Sequence, residues 1–316
     1  MPELAEARDS SRRRSTKWIL RLVTLVAVVV VIATIDLDEM VEAVQGANPW
    51  WIAAAIGFSL LTTVGGALTL VAFTPGHLPF GKTILAQWAG SFVALATPAG
   101  IGPAALNLRF LNRQRINTHT GLAVVALTQV SQFVITVLLL IILTLATGNR
   151  GLITLPSGTI LLSIGGIVVI VGALLCITPI RVWVWHKVGP TLLQLWPRLA
   201  AMLTQPSRFA AGLGGNVLMT ASYVMAFYAA LHAFGRVLDI SDVAVIYLVG
   251  NTMGALIPTP GGLVGVESAL IAGLSAAGLT VAFATSVTLL FRIVTYWLRI
   301  PLGWAAMKYL EAKNDL

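Results

Sequence analysis

Charge is scarce in this sequence. Of its 316 residues only 10% are Asp, Glu, Lys or Arg and 57% are hydrophobic, with a mean hydropathy of +0.89, whereas soluble domains carry roughly a quarter charged residues. That balance excludes a soluble globular domain and points to an all-α polytopic membrane protein. Cysteine is nearly absent: Cys176 stands alone inside an apolar run, so neither a disulfide framework nor a cysteine metal site exists. The four histidines, His77, His119, His186 and His232, never pair at ligand spacing, and no metal is expected. Also missing are a Walker loop, a dinucleotide fingerprint, Gly-x-Ser-x-Gly and His-Glu-x-x-His. Their absence argues against an ATP-driven machine within this chain. The expectation is a protein with no catalytic residues and no cofactor, not an enzyme.

The basic excess, a formal net charge of +8, is spread over the loops between apolar runs, the positive-inside pattern of membrane proteins. Residues 179–208 interleave Arg181, Lys187, Arg198 and Arg208 with Trp183, Trp185 and Trp196. Such a mixture can stack on nucleic acid, but between apolar spans it is expected to lie at the cytoplasmic interface. No nucleic-acid partner is expected.

What the sequence has in abundance is long apolar runs. Segments 18–35, 50–73, 121–146, 158–178, 209–234 and 281–310 match or approach the ~20 residues of a full crossing. The first follows a basic tail and leads into Asp36, Asp38 and Glu39 without a small-residue cleavage site, which favours an uncleaved helix over a signal peptide. Two further stretches are cut short by proline and glycine: 83–96, ending in Thr97-Pro98-Ala99-Gly100-Ile101-Gly102-Pro103, and 243–257, ending in Pro258-Thr259-Pro260-Gly261-Gly262. Short helices meeting at such breaks are expected to form re-entrant hairpins. The expected fold is therefore about six full transmembrane helices plus two re-entrant broken-helix hairpins.

Thr97-Pro98-Ala99-Gly100-Ile101 recurs as Thr259-Pro260-Gly261-Gly262-Leu263, and each copy sits between two full spans. Charge placement puts both termini and most basic loops inside, with Arg150 and Arg236 outside. The two halves then run in opposite senses, an inverted repeat of the transporter type. The expected organisation is a cytoplasmic tail (1–17), a first transmembrane helix with an acidic outer loop (18–48), and membrane repeat 1 (49–147). A connector helix with its basic interfacial segment (148–208), membrane repeat 2 (209–310) and a C-terminal tail (311–316) complete it.

Glu267, one turn beyond the second break, is the only one of twelve acidic residues to fall within a hydrophobic segment. In the last span Thr285, Thr288, Arg292, Thr295 and Arg299 form one polar stripe at helical spacing. At the matching positions of the other half, Arg292, Thr295 and Arg299 become Gln129, Gln132 and Thr136. Guanidinium groups and freed helix N-termini both hold phosphate, so the stripe and the Thr259, Gly261 and Gly262 break together suggest an anion site. The structural alternative is that Arg292 only neutralises Glu267, that Arg299 snorkels to the interface, and that Gly250-x-x-x-Gly254 and Gly261-x-x-x-Gly265 are packing devices.

Pro258-Thr259-Pro260-Gly261-Gly262-Leu263-Val264-Gly265-Val266-Glu267 ahead of an apolar helix, with the earlier Thr97-Pro98-Ala99-Gly100-Ile101-Gly102, resembles the lysylphosphatidylglycerol synthase transmembrane region. This flippase-like family supplies the membrane half of the multiple peptide resistance factor. The resemblance covers most of the chain after about residue 50. Family members often carry Gly-Glu and an arginine after the first break; here Gly102 is followed by Pro103, leaving Arg109 as the candidate. The resemblance implies translocation of an anionic lipid, an aminoacyl-phospholipid or a polyprenyl-phosphate-linked sugar, across a bacterial plasma membrane. Arg292, with Arg109 as the second candidate, would hold phosphate, and Glu267 would orient the arginine or exchange a proton; Arg299, Thr288, Thr295, Gln129 and Gln132 would complete the binding site. A partner lipid-modifying enzyme and a second copy of the chain stay open. So do two other functions, a non-transporting module that anchors an enzyme and a small-solute transporter. No stretch resembles the soluble aminoacyl-transferase domain, so synthesis of aminoacylated lipid is not expected.

Overall fold

A computed structural model describes residues 46–95, 97, 100–147, 205–255 and 265–316, and these form eight helices with no strand. They are α1 (Pro49–Phe73), α2 (Phe80–Ala94), α3 (Ile101–Arg113), α4 (Thr118–Thr147), α5 (Pro206–Ala233), α6 (Ile240–Ala255), α7 (Gly265–Ala276) and α8 (Val281–Ala312). Four of them, α1, α4, α5 and α8, are long and apolar enough to cross a membrane. The other four have 15, 13, 16 and 12 residues; at 1.5 Å per residue each is shorter than the roughly 30 Å hydrocarbon layer. The expected spans at 18–35 and 158–178, and the second Pro/Gly break, lie outside the described residues.

Local chemistry sets several helix ends. Asn48 caps α1 by accepting from the Trp50 N–H at 3.0 Å, with Pro49 as the first helical residue. Gly100, left-handed at φ 81°, starts α3. Gly102 and Pro103, read from sequence as part of the break, lie instead in the first turn of that helix, where a missing N–H costs nothing. Likewise α5 starts at Pro206, ahead of the expected residue 209, because proline suits a first helical position. A π turn at Ile293–Trp297 interrupts α8 just upstream of Pro301.

Each long helix is apolar towards its ends and small or polar in the middle. Along α1, Ala55 joins one apolar cluster and Leu70 and Phe73 another, with buried Ser59, Thr62 and Thr63 between them. Along α8, Phe291 and Val294 join the first cluster and Leu310 the second, with Thr295 and Arg299 between. On α4 the intervening buried polar residue is Ser131, and on α5 they are Asn216, Thr220 and Ser222. Asn216 donates to Ser131 at 2.7 Å, and the Thr69 hydroxyl lies 3.1 Å from the Gly212 carbonyl oxygen. The middle layer is thus a hydrogen-bonded polar seam between two apolar cores.

Helix contacts occur in exchangeable pairs. The α1–α5 contact is the most extensive; α2 packs on α8 as α6 packs on α4, and α2 pairs with α3 as α6 pairs with α7. The contacts α3–α4 and α7–α8 correspond in the same way.

At the end of α8 the chain folds back on the first hairpin. Asp315 accepts from Lys82 Nζ and Gln114 Nε2, both at 2.9 Å, while Leu316 is buried in the second cluster. Burial alone would raise the Asp315 carboxyl, but the hydrogen bonds from Lys82 and Gln114 and the charges of Lys82 and Lys313 outweigh it and hold it below its ordinary value. A lowered folded value means the contribution is complete above the unfolded carboxyl's 3.8 and is lost as pH falls through the folded value. Since Lys82 is 44% exposed, solvent screening limits the effect to less than about 1 kcal/mol. Asp315→Asn should therefore melt slightly below the parent at pH 7, with the gap closing under strong acid. A gap that persists or widens in acid would show that Asp315 does not act through its charge.

Candidate functional site

Half-way along the long helices the polar seam opens into a cavity of about 390 Å³, and all eight helices contribute to its lining. Thr62, Thr63 and Gly66 come from α1, Gln87 and Ser91 from α2, Pro103 from α3, and Gln132 and Thr136 from α4. The opposite side is built from Thr220 and Tyr223 on α5, Tyr247 and Asn251 on α6, and Val266 on α7. From α8 come Phe291, Arg292, Thr295, Tyr296 and Arg299. Its size lies in the roughly 300–1,000 Å³ range of ligand sites.

Arg299 is the most heavily engaged residue. It is 5% exposed, so the snorkelling expected for it as a structural residue does not occur. Its Nε donates to Ser59 Oγ at 3.1 Å, its Nη1 to the Tyr223 hydroxyl at 3.1 Å, and its Nη2 to the Ser59 carbonyl, Ser59 Oγ and Thr62 Oγ1. The π turn makes this arrangement possible. Leu298 N–H bonds to Ile293 five residues back instead of to Val294, and the released Val294 carbonyl accepts from Ser59 Oγ at 2.9 Å. One hydroxyl therefore ties the π turn of α8 to the guanidinium and both to α1.

Arg292, 8% exposed, reaches the cavity from the end of the regular part of α8. Its Nε lies 3.2 Å from Glu267 Oε1, and its guanidinium carbon sits 5.5 Å from the centre of the Tyr296 ring. Glu267 occupies the first turn of α7, where the helix dipole favours a carboxylate.

The other residues singled out from sequence fall into two groups. Thr295 and Gln132 line the cavity; Thr295 donates to the Phe291 carbonyl at 2.7 Å, and Gln132 donates to Thr220 at 2.9 Å. Thr136, the counterpart of Arg299, lines it as well. By contrast Arg109 and Gln129 are exposed on α3 and α4 and are not among the lining residues. Thr288 is buried, away from the lining, and its hydroxyl has no partner among the described residues. Thr259, Gly261 and Gly262 lie outside the described residues. Of the two glycine motifs, Gly250 and Gly254 are seated against Leu270 and Val266 and let α6 and α7 approach.

Sequence reasoning missed Ser59, Thr62 and Tyr223. Their one signal was hydroxyls in the middle of otherwise apolar spans. Among the described residues no three His, Cys, Asp or Glu side chains are grouped to hold a metal ion.

The site's chemistry is that of a polar-lined chamber carrying two guanidinium groups half-way along the long helices. Comparison with known proteins agrees with a membrane setting. A UPF0104 membrane protein of Methanothermobacter thermautotrophicus is 23% identical over 124 residues, covering 39% of this chain and 37% of that protein. The match thus spans well under half of the relative's length. The family description "Lysylphosphatidylglycerol synthase TM region" matches residues 18–303. The protein is therefore a membrane-embedded member of the lysylphosphatidylglycerol synthase transmembrane-region family.

Proposed function

We propose that the protein moves the headgroup of an anionic lipid between leaflets, through the mid-height cavity. The observation that carries this reading is the buried pair Arg292 and Arg299 facing a polar chamber at the centre of the spans. Ionisable groups at that depth are costly and are kept where they serve a pathway. Family membership supports a lipid-related role. Aminoacyl-phospholipids and polyprenyl-phosphate-linked sugars are the two candidate headgroup classes. The phosphate would meet the guanidinium groups while the acyl chains stay in the bilayer, and Glu267 would orient Arg292 through their 3.2 Å contact. Reconstituted protein should accelerate transbilayer movement of an anionic phospholipid in vesicles. Equal rates with and without protein would sink the reading.

In this reading α1–α4 and α5–α8 are an inverted repeat in a plasma membrane, with the two hairpins re-entrant from opposite faces and both termini cytoplasmic. The exchangeable helix contacts support it, as do the short hairpin helices. A cysteine placed beside Arg236 in a Cys176→Ala background should label from the outer face; labelling from the cytoplasmic face alone would overturn the arrangement. The protein is also proposed not to aminoacylate lipid itself. Radiolabelled amino acid appearing in lipid with purified protein and aminoacyl-tRNA would refute that.

One observation favours a second reading. Arg299 joins α1, α5 and α8 through hydrogen bonds, as a purely structural residue would in a non-transporting module that anchors an enzyme. A protein that folds, sits in the membrane and moves no lipid would be that module.

A further inference from the structure

The charge of the cavity narrows the headgroup, given the reading that this cavity carries one. Among the described lining residues only Arg292 and Arg299 bear a charge at neutral pH. Glu267, 3.2 Å away, balances Arg292. Among the described residues Arg299 is bound only by the neutral groups of Ser59, Thr62 and Tyr223. Among the described residues the other carboxylates are Asp239, Asp242, Glu311 and Asp315; they stand in loops or at helix ends, and none is in the lining. The second break, residues 256–264, contains no charged residue. Among the described residues one positive charge is left over.

Arg299 also has the means to engage an anion. A guanidinium carries five N–H donors. Nε and Nη2 are turned to Ser59 and Thr62, and one hydrogen of Nη1 serves Tyr223, which leaves the second Nη1 hydrogen over. Tyr223 accepts from Arg299 and keeps its own hydroxyl hydrogen to donate. Both residues line the cavity, so the Nη1 edge and the Tyr223 hydroxyl can offer it two donors. Gln87, Gln132 and Asn251, also in the lining, suit hydroxyl groups rather than ions. The Gln132 carbonyl oxygen has no partner among the described residues.

We infer that the cavity is matched to a phosphodiester monoanion bearing an uncharged, hydroxylated substituent. A charge moved from water into such a site is tolerated only when it meets its opposite. A single negative charge completes the balance. A lysylated headgroup brings ammonium groups that find no free carboxylate, because Glu267 is committed to Arg292. A diphosphate or phosphomonoester brings a second negative charge with no cation to receive it. Two lipid sources share the favoured chemistry: a glycerophospholipid with a glycerol headgroup, and a sugar linked to a polyprenol through one phosphate.

The test uses the full chain in two formats. In phosphatidylcholine vesicles, transbilayer movement is followed for labelled phosphatidylglycerol, polyprenyl-monophosphate glucose, phosphatidylethanolamine, lysyl-phosphatidylglycerol and polyprenyl-diphosphate sugar. In detergent, the same lipids are added and the melting midpoint recorded. The phosphodiester monoanions should be favoured by about tenfold, the difference between a charge-assisted and a neutral hydrogen bond. Which of the two moves identifies the source. Equal or better movement of the lysylated lipid or the diphosphate would overturn the charge match while leaving translocation intact. Should no lipid move, translocation fails, and the melting series still decides the charge match. Stabilisation by monoanions alone upholds it; stabilisation by the cationic or dianionic lipid overturns it.

Discussion

Gly65→Ala should unfold the protein under conditions where the parent is intact. A Cβ on Gly65 would sit 2.7 Å from the Gly215 carbonyl oxygen and 2.7 Å from the Met219 nitrogen. Both are backbone atoms of α5, so no side-chain rotation relieves the clash and the two helices must separate. The contact is reciprocal: a Cβ on Gly215 would meet the Gly65 carbonyl oxygen at 2.7 Å. This seam is the most extensive helix contact and also fixes Ser59 and Thr62 opposite Arg299. Overpacking that cannot relax costs about 3 kcal/mol or more, a large part of an ordinary stability margin. Gly57, on the same helix with nothing within 4 Å, is the control. There alanine should be neutral or stabilising by up to about 1 kcal/mol. Melting curves in detergent compare the parent and the two variants, and a Gly65→Ala protein with the parent's midpoint would mean that α1 and α5 do not approach as described.

Much of the architecture was legible because a membrane imposes length. The four long spans and the two pairs of short helices were visible in run length and in proline and glycine placement. Glu267 was visible because a lone carboxylate in an apolar segment needs a partner, and Arg292 was the nearest guanidinium on the polar stripe. The Arg299 site was not legible, because its partners Ser59 and Thr62 lie 240 and 237 positions away on another helix. Nothing in a periodic pattern announces a π turn, and without the turn the Val294 carbonyl would not be free for Ser59. Arg109 and Gln129 show the opposite failure. The apolar stripe of a helix is about 100° wide or more, so spacing alone does not say which polar edge faces inward, and both residues are exposed and outside the cavity lining. Serine and threonine in the middle of apolar spans carried more information than their ordinary chemistry suggested. They marked the level at which the two cores part.

Breaking the Glu267–Arg292 pair from either side should destabilise the protein, and breaking it from both sides should largely undo that loss. Glu267→Gln leaves the Arg292 guanidinium, 10% exposed in its side chain, without its counter-charge, and Arg292→Gln leaves the carboxylate. Removing one partner of a buried pair costs roughly 3–5 kcal/mol; Glu267 keeps 25% of its side chain exposed, which places the cost near about 3 kcal/mol or below. The double variant should return to within about 1 kcal/mol of the parent, because two neutral amides leave no unpaired charge. Transport separates the variants differently. The double variant retains Arg299 and hence the single positive charge, so it should keep the preference for phosphodiester monoanions and move them more slowly, having lost the Arg292 donors. Glu267→Gln alone raises the charge to two and should shift the preference towards a dianionic headgroup. Thermal melts and vesicle transport on the two singles and the double supply both readouts. A double variant no more stable than the worse single would show that the two side chains are not coupled. One with parental stability and parental transport rate would show that Arg292 never touches the headgroup. The anion would then rest on Arg299 and Tyr223 alone, and the pair on α7 and α8 would be a fastening between helices.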